Sequence, residues 1–130
     1  MDIYREKLLD HYNNPRNYGV MEACDTSVEL ENASCGDLIK VQIDAKGDVI
    51  SEAKFTGEGC AVAIASASIL TEYMRGKKLQ DIIKLTLEEF IDLIGVELTL
   101  SRIKCANLSL EAAKIAIKQL TEKESWLYTE

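Results

Sequence analysis

The chain has 130 residues, enough for one domain spanning 1–130. Its 47% hydrophobic and 28% charged residues make an ordinary globular balance, which excludes wholesale disorder. A net charge of −7 sets the surface against a phosphate backbone, so nucleic acid is not an expected partner.

The elements follow in chain order. Residues 3–12 predict a helix, with Tyr4, Leu8 and His11 or Tyr12 along one apolar stripe. Asn13-Asn14-Pro15-Arg16-Asn17 breaks it. Three strands are expected at 27–31, 38–45 and 49–55, where Val28 and Leu30, then Ile39, Val41 and Ile43, then Ala53 and Phe55 alternate with polar residues. Lys46-Gly47-Asp48 turns the second strand into the third, which predicts an antiparallel meander that is polar on one side. A helix over 61–74, rich in Ala and Ser, carries Val62, Ala65, Ile69 and Tyr73 on one face and stops at Gly76. Shorter amphipathic helices are expected at 79–85 and 87–94, the second ended by Gly95. The last helix is placed at 105–122, with Leu108, Ala112, Ile115, Ala116 and Leu120 facing inward. The tail 125–130 is expected to fray, with Trp126 free to pack. Strands first and helices after predict an α+β fold: a three-stranded antiparallel sheet with helices packed on one face.

Composition and compartment bound the chemistry. No apolar run reaches the roughly 18 residues that a membrane-spanning helix needs, so no membrane association is expected. The charged start, Met1 to Lys7, lacks the apolar centre of a signal peptide. The expectation is a cytoplasmic chain with reduced thiols. Four cysteines are present, Cys24, Cys35, Cys60 and Cys105, without a CxxC pair. Neither a disulfide framework nor a zinc ribbon is therefore expected.

Three of the four thiols occupy special contexts. Cys35 sits in Ala33-Ser34-Cys35-Gly36-Asp37, where Gly36 permits a tight turn. Asp37 lies two residues on, pointing the same way if the segment is extended. Cys60 follows Gly57-Glu58-Gly59 and opens a helix, where free N–H groups favour a thiolate. Cys105 is expected to open the last helix in the same way, beside Lys104. A mixed sulfur and oxygen set of this kind suits a soft metal or a sulfur-transfer site. Any one of these thiols taken alone is more often a small buried hydrophobe, and a metal-free structural module is one alternative. A cysteine hydrolase is another, but it needs a base, and His11 is the sole histidine. His11 reads as a packed or surface residue, Cys24 as an unpaired thiol, and Glu88, Glu89 and Asp92 as a solvated face.

Four segments in this order resemble a known family. They are Asp10-His11-Tyr12-Asn13-Asn14-Pro15-Arg16-Asn17, Ala33-Ser34-Cys35-Gly36-Asp37, Gly57-Glu58-Gly59-Cys60-Ala61 running on to Ala65-Ser66-Ala67-Ser68, and Arg102-Ile103-Lys104-Cys105. Over essentially its whole length the chain resembles the IscU/SufU/NifU N-terminal family of iron–sulfur cluster assembly scaffolds. The resemblance implies a scaffold, not an enzyme, that accepts persulfide sulfur from a cysteine desulfurase. It also implies iron and electron donors, apo acceptor proteins, and a homodimer when cluster-loaded. The family's three cysteines fall on Cys35, Cys60 and Cys105, and its near-ligand aspartate on Asp37. Together these would hold a 2Fe-2S cluster, or zinc in the same site as in SufU. Cys105 matches the usual IscU persulfide acceptor, and Cys35 the acceptor usually given for SufU.

The chain departs from these patterns in three places. Lys104 stands where IscU has a histidine, and a protonated lysine has no lone pair to give a metal. The fourth ligand implied is therefore Asp37. The Leu-Pro-Pro-Val-Lys stretch that Hsp70 chaperones recognise is replaced by Leu98-Thr99-Leu100-Ser101-Arg102, so no Hsp70 partner carries over. The extra segment that SufU has between its second and third cysteines is missing. Two readings stay open: a 2Fe-2S scaffold, and a zinc-bound sulfurtransferase partner of a desulfurase.

Overall fold

The computed structural model describes residues 3–128, with side chains except at Tyr4 and 123–128. Helix α1 (Ile3–Asn13) leads into strands β1 (Thr26–Asn32), β2 (Asp37–Lys46) and β3 (Val49–Glu58). Helices α2 (Ala61–Met74), α3 (Leu79–Lys84), α4 (Leu87–Ile94) and α5 (Leu100–Tyr128) follow. The strands form one antiparallel sheet in the order β1-β2-β3. This is the expected α+β meander.

The alternation read in the sequence sets the register. Ile39, Val41 and Ile43 of β2 are fully buried and pair across to Gly57, Phe55 and Ala53 of β3. Each such aliphatic side chain contributes about 1.5–3 kcal/mol when buried. Gly47, at φ +63°, makes the two-residue link between β2 and β3. The turn between β1 and β2 closes on the Asn32–Asp37 pair. The segment after α1 covers the outer edge of β3: Phe55 N–H donates to Asn17 O at 3.0 Å and Gly19 N–H to Phe55 O at 2.9 Å. That cover hides an edge that would otherwise be open to pairing.

Helices α2 and α5 lie on the sheet, and α1 packs on α2. Every residue from Ala63 to Leu70 is buried, and so are Thr71 and Met74. The single apolar face expected for α2 is thus a nearly complete buried cylinder. Alanine and serine make this feasible, because small side chains let neighbours approach on several sides. Val62 and Tyr73, expected inward, are only half-buried. His11 is buried against this helix, with Nδ1 2.7 Å from Ser68 Oγ. Ser68 Oγ also accepts the Arg16 N–H at 2.8 Å. Helix α4 starts with a capping box between Thr86 and Glu89 and ends at Gly95 in the left-handed conformation.

The last helix differs most from the expectation. It starts at Leu100, not Cys105, so Cys105 lies in its second turn. In α5, Leu110, Ala113 and Ile117 are buried along with Leu108, Ala112, Ala116 and Leu120, whereas Ile115 is 39% exposed. The expectations for the tail 125–130 and for Trp126 fall on side chains and residues outside those described. Among the described residues, no helix is long and apolar enough to cross a membrane.

Candidate functional site

The site is built where three chain segments meet at one end of the sheet. The turn from β1 to β2 carries Cys35. Cys35 N–H and Gly36 N–H both bond to Asn32 O, at 3.2 and 2.9 Å, and Gly36 takes φ +73°. This tight loop leaves the Cys35 thiol exposed. Asp37, the first residue of β2, is fully buried. A buried carboxylate requires donors. It finds one in Cys60 N–H, which donates to Asp37 Oδ1 at 2.9 Å.

That bond fixes the second segment. Cys60 caps α2 from an extended conformation, and its sulfur accepts the Ala63 N–H at 3.5 Å. The Cys60 thiol also lies 3.9 Å from Asp37 Oδ2. The approach requires Gly59. A Cβ there would sit 2.3 Å from Asp37 Oδ1, and the residue holds φ +152°. The glycine before the cysteine therefore lets the carboxylate reach the helix start.

The third segment is α5. Cys105 is buried, and its thiol donates to Ser101 O at 3.6 Å within the helix. Here the sequence reading is corrected. A thiol in the second turn is past the free N–H groups of the helix start, so the dipole does not favour its thiolate. Burial instead pushes the Cys105 thiol well above the ordinary range, and hydrogen bonds with Asp37, Cys60 and Cys35 add to the effect. Lys104 does not serve this thiol either. It lines a separate polar groove with Glu31, Asn32, Asn107 and Glu111.

The structure brings Cys35, Asp37 and Cys105 together, with their donor atoms all within 4.8 Å of one another. Cys60 stands at the border of that set, with its sulfur 3.9 Å from Asp37 Oδ2. Cys24 does not join it. It lies beyond the other end of β1, half-buried, and its sulfur accepts from Gln42 Nε2 at 3.4 Å. His11 is on α1 and bonds to Ser68, so it supplies no base to the thiols.

One residue at the site had no role assigned from sequence. Arg102 lies three residues before Cys105 on α5 and is exposed. Attraction to Cys60 first, and then to Cys105, raises the Arg102 guanidinium further above its usual range. The signal was its spacing of three from Cys105, which means a shared helix face only once α5 is known to begin before it.

The model of the NifU-like N-terminal domain matches residues 3–126. The chain belongs to that family. Among family relatives, the iron–sulfur cluster assembly scaffold protein IscU of Aquifex aeolicus is 39% identical over 123 residues, covering 93% of this chain and 78% of the relative. The zinc-dependent sulfurtransferase SufU of Bacillus subtilis is 36% identical over 127 residues, covering 85% and 86%. A crystal structure of a scaffold protein of the SUF system from Fervidobacterium islandicum superposes with TM-score 0.77 at 26% identity, covering 86% of this chain and 94% of that one. A NifU-like N-terminal domain from Brucella abortus superposes at 0.78 with 17% identity, which speaks for the fold alone.

Proposed function

We propose that the whole chain acts as one scaffold domain on which iron–sulfur clusters of the 2Fe-2S type are assembled and passed on. The observation that carries this is the convergence of three thiols on one buried carboxylate, with Cys35 at the exposed rim. Thiolates favour iron–sulfur centres, and a lone carboxylate is a weaker partner for a soft metal. Cys35, Asp37, Cys60 and Cys105 are the ligands in this reading. They make a set that holds a cluster and still releases it.

Exposure orders the sulfur chemistry. Cys35 meets a persulfide donor first, and Cys105, sealed beneath it, is the second candidate acceptor. The donor is a cysteine desulfurase, with iron and electrons from further partners, apo proteins as acceptors and a second copy shielding the loaded cluster. The protein then carries its cargo and turns over no substrate of its own. Reactive thiols of this sort need a reducing compartment, which we take to be the cytoplasm.

A second reading keeps zinc in the same four ligands. It is favoured by the likeness to a relative named as a zinc-dependent sulfurtransferase. Tetrahedral zinc accepts three sulfurs and one oxygen. Anaerobic reconstitution with iron, cysteine and a desulfurase separates the two. The scaffold reading expects visible absorbance with iron and acid-labile sulfide in equal amounts. A chain that keeps zinc and takes up no sulfide refutes it.

A further inference from the structure

Two thiols of the site are close enough to join. The Cys35 and Cys105 sulfurs lie within 4.8 Å of each other, and Asp37 offers a carboxylate oxygen within the same reach of both. Cys35 is exposed and Cys105 is buried. Closing that gap to a disulfide bond of about 2 Å needs only a modest shift of one side chain or its loop. The loop has room. Cys35 sits on the turn between β1 and β2, and nothing lies within 4 Å of where a Cβ on Gly36 would be. Cys60 stands outside that mutual set, and its sulfur caps α2 by accepting the Ala63 N–H. Cys24 is beyond the other end of β1, where its sulfur accepts from Gln42.

We propose that Cys35 and Cys105 form a dithiol–disulfide couple that turns accepted sulfur into sulfide: Cys35 carries the persulfide, and Cys105 attacks its inner sulfur and expels hydrosulfide. The inference rests on the reading of this site as a sulfur acceptor. In the first step the Cys35 thiolate takes the outer sulfur of a donor persulfide, and the donor leaves as a thiolate. In the second step the bond between Cys35 Sγ and the outer sulfur breaks, and an S–S bond from Cys35 to Cys105 forms. The outer sulfur departs with the electron pair of the broken bond and takes the proton of the Cys105 thiol. A persulfide anion and a thiol thus become a disulfide and hydrosulfide. Over both steps the two thiols lose two electrons, and the transferred sulfur gains them. A thiol held beside the bond it breaks reacts far ahead of one free in solution. The exposure of Cys35 gives the small anion a way out. The disulfide ties up two of the four proposed ligands, so the next reaction must be reduction by a dithiol before iron binds there.

The test uses the metal-free full chain, anaerobic and without other reductants, given a limiting amount of glutathione persulfide. Hydrosulfide is measured as methylene blue. The state of each cysteine is mapped by peptide mass spectrometry after alkylation. Hydrosulfide should appear in proportion to the persulfide consumed, together with a peptide pair linked through Cys35 and Cys105. Dithiothreitol should then return both thiols.

Cys105→Ala should lower hydrosulfide release by about tenfold or more and leave the persulfide on Cys35. Cys35→Ala, a change on an exposed turn, should lower it as far, and Cys24→Ser should match the wild type. A wild-type chain that keeps its persulfide on Cys35, passes it intact to Cys105, or releases hydrosulfide without the Cys35–Cys105 link overturns the proposal. So does a Cys35→Ala chain that releases as much as the wild type. Absence of persulfide on Cys35 even in the Cys105→Ala chain strikes down the acceptor reading, and the inference with it. These measurements need neither iron nor desulfurase, so they stand or fall separately from the reconstitution that tests the scaffold reading.

Discussion

Replacing Gly59 with alanine should unlatch the carboxylate on which the site is built. The added Cβ would lie 2.3 Å from Asp37 Oδ1, 3.0 Å from its Cγ and 3.1 Å from its Cα. Asp37 is fully buried at the start of β2, so neither its side chain nor its backbone has free space to yield. Residue 59 also holds φ +152°, a conformation that costs a side-chain-bearing residue about 1–3 kcal/mol. Displacing the carboxylate would break its bond from Cys60 N–H, worth about 1.5–3 kcal/mol for a charged acceptor. The sum, about 2.5–6 kcal/mol, is a large part of an ordinary domain's stability. The comparison is Gly36→Ala, where φ is +73° but nothing lies within 4 Å of the new Cβ. There the cost should be only about 1–2 kcal/mol of left-handed backbone strain. Urea unfolding of both variants, read as midpoints at constant m-value, measures the difference. If Gly59→Ala is no less stable than Gly36→Ala, then the link between Asp37 and Cys60 is not what holds the site together.

Three further outcomes follow from the same geometry. Asp37→Ala should lengthen the lifetime of a reconstituted cluster, because the exchangeable ligand is gone, even as the fold loses about 1.5–3 kcal/mol; faster loss of visible absorbance would contradict this. Cys60→Ser should abolish stable cluster, and a mutant that reconstitutes the same absorbance removes Cys60 from the ligand set. His11 is held below the usual histidine range, chiefly by burial, with Arg16 and Lys7 adding and Glu72 and Asp10 opposing. Its cation is disfavoured in the fold, so the unfolded chain binds more protons as pH drops. Stability should therefore be full above about pH 6.5 and fall as pH drops toward the folded value, by at most about 1.4 kcal/mol per unit. Urea midpoints between pH 5 and 8 should show that slope in the wild type, and a His11→Gln chain with the same slope would assign it elsewhere.

The strands and α2 were legible because each signal is local. Alternating residues such as Ile39, Val41 and Ile43 can satisfy only a half-buried strand, and Ala61–Met74 has a clear start at Cys60 and a stop at Gly76. The end of β3 was not legible, and the start of α5 was misplaced. Strand β3 runs on to Glu58 because its last residues pair with Leu38 and Ile39, a long-range fact. Helix α5 starts five residues before Cys105, directly after Thr99, a residue type common at helix starts, whose carbonyl accepts from Ile103 N–H at 2.9 Å; that signal went unused. That error carried into the chemistry: it put Cys105 at a dipole it does not meet and hid Arg102. The four proposed ligands were found because each sits in an unusual local context. Their mutual distances, and the border position of Cys60, depended on packing that no local pattern encodes. The role of Gly59 became visible only when the neighbour of its missing Cβ was known.

The proposed donors of the site come from residues 35, 37, 60 and 105, on a turn, a strand start, a helix start and the second turn of another helix. No two of these segments hold their sulfurs in place without the rest of the fold. Binding and folding are thus one equilibrium: cargo favours the closed chain by mass action, and loosening of α5 lowers the affinity for cargo. A partner that tugs on the start of α5 could empty the site without ever touching a ligand.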